Sequence, residues 1–160
     1  LGKAETIFSP HPLFYTISTP KNLSEYISSI DTDKYFIFMV AKDDASKALT
    51  EDVIKSMNKL GLNFYTQDAY RNAYAAIIGN KPMFEQKDDS IVKCNAEFEG
   101  VKISMQSASY KGGNNASILL DGKEYAKNQR GLNIVIYNKE LHHVTDSVYV
   151  DLYENDIVRR

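Results

Sequence analysis

Lys34-Tyr-Phe-Ile-Phe-Met-Val-Ala-Lys-Asp-Asp-Ala-Ser46 is the stretch on which the fold turns. From Tyr35 to Ala41 it is almost continuously apolar, the pattern of a strand covered on both faces, so it is expected at the centre of a sheet. Its far end is the opposite in character: Lys42, Asp43 and Asp44 follow directly, ahead of a small serine-containing turn. A rigid strand end of this kind presents side chains at a rim, where recognition residues often sit.

Downstream, Thr50 to Leu60 reads as a helix. Thr50 is the cap, Glu51 and Asp52 complement the positive end of the dipole, and Gly61 is the stop. Val53, Ile54, Met57 and Leu60 form its buried stripe. Ala73 to Ile78 is a second apolar strand ended by Gly79, and the polar residues 80–89 read as a loop. Upstream, Leu13 to Ile17 suggests a strand. A helix follows, with Thr19 as cap, Pro20 in the first turn and Leu23, Tyr26, Ile27 and Ile30 at helical spacing.

Beyond residue 90 the period changes to two: Val101, Ile103 and Met105 alternate with Lys102, Ser104 and Gln106. Gly112-Gly113 breaks the chain. Ser117 to Leu120 and Lys123 to Tyr125 then flank an Asp121-Gly122 turn in a hairpin. Leu132, Ile134 and Ile136 begin a further strand, on which Val144 to Val150 pairs back through residues 138–143. Strands outnumber helices, and the helices cluster early. The expected class is α+β, a single domain over 1–160 of antiparallel, sandwich-like sheet packed by two main helices.

At 160 residues and 18.1 kDa the chain has the length of one domain. A formal charge of -2, from 19 basic and 21 acidic residues mixed along the chain, offers no electrostatic footprint for a phosphate backbone, which disfavours nucleic acid as a partner. No apolar run approaches the roughly 20 residues that span a bilayer, so membrane insertion is not expected. The chain starts at Leu1 and shows no signal region, which suggests a piece of a longer polypeptide with further domains. Cys94 is the only cysteine, so the fold is expected to stand on its core without an internal disulfide.

Signatures of catalysis are missing: there is no phosphate-cradling glycine loop, nucleophile elbow or zinc pattern. His142 and His143 are adjacent and on a strand would face opposite ways. Cys94 has no neighbouring cue for a lowered pKa. The carboxylate pair Asp88-Asp89 reads as solvated, whereas Asp43-Asp44 sits at the strand rim. The chain is therefore read as no enzyme, with no catalytic residue, cofactor or metal.

Four motifs together resemble a known family. Val40-Ala-Lys42-Asp43 with Lys59-Leu60-Gly61, and Tyr70-Arg71-Asn-Ala-Tyr74-Ala-Ala-Ile-Ile-Gly79, are similar to one half of the domain of the interleukin-like epithelial–mesenchymal transition inducer (ILEI) family and of the GG domains of some glycan-processing proteins. Gly113, Asp121-Gly122, Arg130-Gly131-Leu-Asn133-Ile-Val and Asp146-Ser147-Val resemble the other half. Here the halves, 1–90 and 91–160, stand in exchanged order, as in a circular permutant. Tyr74 replaces the family's Trp, and Asn72 replaces the Asp after its Arg. The resemblance implies that Val40 to Asp43 and Arg130 to Ile134 lie close in space.

In a glycosyltransferase stem the corresponding domain is non-catalytic and binds a sugar, and its binding residues fall on Asp43, Arg71 and Arg130. The resemblance thus implies a glycan ligand, held by an aspartate acceptor between guanidinium donors, with Tyr74 adding an apolar face. The function expected is a non-catalytic carbohydrate-binding module of a larger glycan-active or surface-attaching protein, with an extracellular or surface setting slightly favoured. The alternative is a structural or receptor-binding domain of a phage or bacterial surface fibre that acts by protein contact. A buried Arg–Asp–Arg network joining the two halves would be a purely structural use of the same residues.

Overall fold

The computed structural model describes residues 22–46, 49–63, 71–150 and 157–159. The expected strand at Leu13 to Ile17 and the caps at Thr19 and Pro20 lie outside these. In chain order the elements are α1 (Leu23–Ser28), β1 (Tyr35–Asp43), α2 (Glu51–Lys59), β2 (Ala73–Ile78), β3 (Pro82–Asp88), β4 (Ile91–Phe98), β5 (Val101–Ser109), β6 (Asn115–Leu120), β7 (Lys123–Glu124), β8 (Gly131–Asn138), β9 (His143–Val150) and β10 (Ile157–Val158). All the strands belong to one ten-stranded sheet.

The α+β expectation of antiparallel sheets packed by two main helices is overturned. Strand dominates the described residues, and the helices span only 6 and 9 residues. Both helices are bounded by strong local signals. The Asn22 side chain accepts from the Glu25 amide, Thr50 accepts from Val53, and Gly61 takes a positive φ of 92° just past the second helix. The stretch read as a loop, 80–89, is largely β3, which among the described residues pairs with β2 alone. Its Glu85, Gln86, Lys87 and Asp88 hide the strand signal, because an edge strand can keep polar side chains in water and is protected by them.

β1 organises the molecule. Along one side it pairs antiparallel with β8 from Tyr35↔Asn138 to Lys42↔Gly131, so Val40–Lys42 and Gly131–Asn133 are neighbours as the resemblance implied. Along the other it pairs with β2 up to Val40↔Ala75, then hands over to β5 in parallel register at Lys42↔Ala108 and Asp43↔Ser109. That handover makes the sheet mixed and curls β4–β5–β6 over one face of β1. Phe36, Phe38 and Val40 pack there against Cys94, Ile103, Met105 and Ile118. Ile37, Met39 and Ala41 face the opposite way, into a core with Tyr26, Val53, Met57 and Val148. The continuous apolar run follows from this: both of its faces are buried.

Where β2 and β5 diverge from β1, the ladder is completed by a side chain. The fully buried Ser107 accepts a hydrogen bond from the Tyr74 amide at 2.9 Å, and its hydroxyl donates to the Ala41 carbonyl. Another polar anchor lies under α1. The Tyr26 hydroxyl donates to Asp146 Oδ2 at 2.9 Å, and Arg159 donates to both oxygens of the same carboxylate, at 3.0 and 2.9 Å.

Burial, then the Asp146 charge and its hydrogen bond, hold the Tyr26 hydroxyl well above its ordinary value of 10.0. The folded state thus favours the neutral phenol, a contribution complete below about pH 10 and lost as pH rises through the raised value. We predict that stability declines above about pH 10, and that Tyr26→Phe makes this decline shallower by up to about 1.4 kcal/mol per pH unit. Urea denaturation across pH 8 to 11 measures the slope (on the order of a 3-unit range). Equal slopes for both chains would refute the assignment.

Candidate functional site

β1 ends with Asp43 in the left-handed region at φ 62°, which aspartate tolerates better than most residues. The next residue, Asp44, is buried and structural. Its Oδ1 accepts from the amides of Ser46 at 2.9 Å and Arg71 at 3.1 Å, closing a turn and tying the start of the β2 segment to the end of β1. Asp43 is different. Its Oδ1 is buried and has no hydrogen-bond partner among the described residues.

Asp43 lines an open, largely polar pocket of about 480 Å³ together with Lys42, Asn114, Gln129, Arg130 and Tyr149. Pairing explains the assembly. Lys42 opposes Gly131, so Arg130 arrives beside Asp43 one step further along the same register, and Tyr149 pairs with Asn133 on the next strand. Asn114 follows Gly112-Gly113, which the sequence suggests as a simple break. The two glycines have separate reasons. A Cβ on Gly112 would stand 2.3 Å from the Ser90 carbonyl oxygen, and Gly113 adopts φ 102°.

The 125–130 wall is clamped in place. Lys42 Nζ donates to the Asn128 carbonyl at 2.9 Å, and Asn128 Oδ1 accepts from the Ala116 amide at 2.9 Å. Fully buried Asn133 both accepts from the Gln129 amide at 3.0 Å and donates to its carbonyl at 2.7 Å. Gln129 and Arg130 are therefore delivered by a fixed backbone, which lowers the entropy lost when a ligand is held.

Of the four residues singled out in the sequence, Asp43 and Arg130 share this pocket. Arg71 stands at the adjoining corner, at φ 55°, with its guanidinium 4.8 Å from the centre of the Tyr110 ring. Tyr74 is 0% exposed in the core on the helix side, and its hydroxyl donates to Glu85 Oε2 at 2.7 Å, so it presents no face to the pocket. The aromatic there is Tyr149 instead. Lys42 lies within a quoted motif, and Asn114, Gln129 and Tyr149 each border one, so proximity to the motifs is the signal that marks them.

The other candidates resolve simply. Asp88 accepts from the Ser90 and Ile91 amides, and Asp89 makes an exposed ion pair with Lys111 at 3.6 Å. Burial pushes the Cys94 thiol up from its ordinary value. His142 and His143 are exposed at the β8–β9 turn. Among the described residues no group of three or more His, Cys, Asp or Glu is placed to hold a metal ion, and no helix is long and apolar enough to cross a membrane.

The architecture is that of a β-rich domain with one curled mixed sheet and a polar pocket at the end of its central strand. Residues 6–81, which include α1, β1, α2 and β2, match the model of the interleukin-like EMT inducer family, a little under half of the chain. The match ends before β3, and the exchanged order of the halves is not part of it. No curated protein and no solved structure matches the chain.

Proposed function

We propose that this chain is a non-catalytic carbohydrate-binding module of a larger glycan-active or surface-attaching protein, built from the two ILEI halves in permuted order. The observation that carries the reading is the buried, unpartnered Asp43 Oδ1 beside Arg130 in a polar pocket. An acceptor in that state is disfavoured unless something donates to it. A sugar offers hydroxyls that donate to Asp43 and accept from Arg130, Lys42 and the amides of Asn114 and Gln129. Tyr149 adds an amphipathic edge. The permuted order is compatible with the pairing of β1 and β8, which come from different halves, because their antiparallel pairing is indifferent to which half precedes the other.

A shallow polar site of this size implies weak affinity, about micromolar to millimolar. NMR titration of the chain with a panel of mono- and disaccharides is expected to shift resonances at Asp43, Arg130 and Tyr149. Asp43→Asn keeps a residue that tolerates positive φ while removing the carboxylate, so it is expected to weaken binding at least about tenfold with little change in Tm. If no saccharide moves those resonances, the carbohydrate reading fails and contact with a protein receptor takes its place. A large fall in Tm would instead mark Asp43 as part of a structural network.

A further inference from the structure

We infer that the Asp43 pocket continues into a second subsite on the Arg71–Tyr110 stack, so that the ligand is an oligosaccharide of two or more residues; this rests on the carbohydrate reading above. Tyr110 is 60% exposed, the largest exposure among the big hydrophobic side chains described. Its ring does not lie loose on the surface, because the Arg71 guanidinium sits 4.8 Å from its centroid. An exposed aromatic ring held in this way offers a flat apolar surface to the C–H face of a sugar ring.

The stack adjoins the pocket through covalent and hydrogen-bonded links. Asp43 is the register partner of Ser109, the residue before Tyr110. The Asp44 carboxylate, one residue on, holds the Arg71 amide at 3.1 Å. The turn after β5 serves both places: the amides of Gly112 and Asn114 donate to the Ser109 carbonyl at 3.0 and 2.9 Å, setting Asn114 in the pocket and Tyr110 beside it.

This turn is pinned to the β3–β4 connection. The Ser109 amide donates to the Ser90 carbonyl at 2.9 Å, its hydroxyl donates to the Asp89 carbonyl at 2.7 Å, and Gly112 sits too close to Ser90 to carry a side chain. Pocket and stack are therefore parts of one rigid rim. Such a rim recognises a chain of sugars, with one residue hydrogen-bonded at Asp43 and Arg130 and its neighbour stacked on Tyr110.

The test is calorimetric titration of the full chain with N-acetylglucosamine, glucose and galactose, each against its β1,4-linked disaccharide and trisaccharide. The disaccharide that binds is expected to do so about tenfold more tightly than its monosaccharide, the gain of one added stacking contact. Tyr110→Ala should abolish that gain and leave monosaccharide affinity unchanged, whereas Tyr110→Phe should keep it. Disaccharides no tighter than monosaccharides, or a gain that survives Tyr110→Ala, would overturn the second subsite while the pocket reading stands. No binding by any of the sugars would overturn both.

Discussion

Asp146→Ala is expected to lower stability by about 3 kcal/mol, a fall in Tm of about 6–12 °C for a chain of this length. The carboxylate is only 9% exposed and is met from three elements: the Tyr26 hydroxyl of α1, the guanidinium of Arg159 just after β10, and the Ser147 amide of β9. Its removal takes away the carboxylate acceptor of the Tyr26 hydroxyl, on a residue that is fully buried, and the bidentate ion pair of the Arg159 guanidinium. The hydroxyl is the larger loss. Arg159 is 35% exposed and can turn its head to water, which keeps the effect below that of a fully buried pair. Asp146→Asn should recover part of the loss by still accepting from Tyr26. Urea denaturation showing less than about 1 kcal/mol for the alanine variant would show that the network adds little to the fold.

Ser107→Ala is expected to destabilise by a similar amount, about 3 kcal/mol, although it removes a single oxygen. That oxygen satisfies two buried backbone groups at once, the Tyr74 amide and the Ala41 carbonyl, at the point where β1 passes from β2 to β5. Both groups are buried, so water cannot replace the hydroxyl without opening the sheet. Hydrogen exchange gives a local check. The Tyr74 amide should exchange much faster in the variant, and unchanged protection of that amide would show that the hydroxyl is dispensable.

Much of the local structure is legible in the residues alone. The Tyr35 to Ala41 run announces a strand buried on both faces, Thr50 and Gly61 bracket α2, and Asp121-Gly122 marks the β6–β7 hairpin, with φ of 50° and 83° at the turn. These signals are local. Caps, turns and apolar periods act within a few residues of chain, so a sequence carries them without reference to anything distant. β3 escapes the same reading because an edge strand may be polar throughout. The weight given to two helices fails for a related reason: apolar spacing reveals which way a helix faces, not that it stays short beside a large curled sheet.

The site divides along the same line. Asp43 stands out in the sequence at the end of an apolar strand, whereas Arg71 and Arg130 are singled out only by the family resemblance. Nothing in the sequence separates Tyr74 from Tyr149. Strand alternation permits Tyr74 either face of β2, and it is the packing of α1, α2 and β9 on one side of the sheet that draws it inward. Tyr149 reaches the pocket because β9 pairs with β8, which pairs in turn with β1. The residues alone specify most of the strands though not β3, many of the caps and turns between them, and the polar rim at the end of β1. That one mixed sheet joins residues 1–90 to 91–160, and that residues 43, 114, 130 and 149 line a common pocket, emerges only on folding, because register and handover are set by which buried faces fit together rather than by neighbours along the chain.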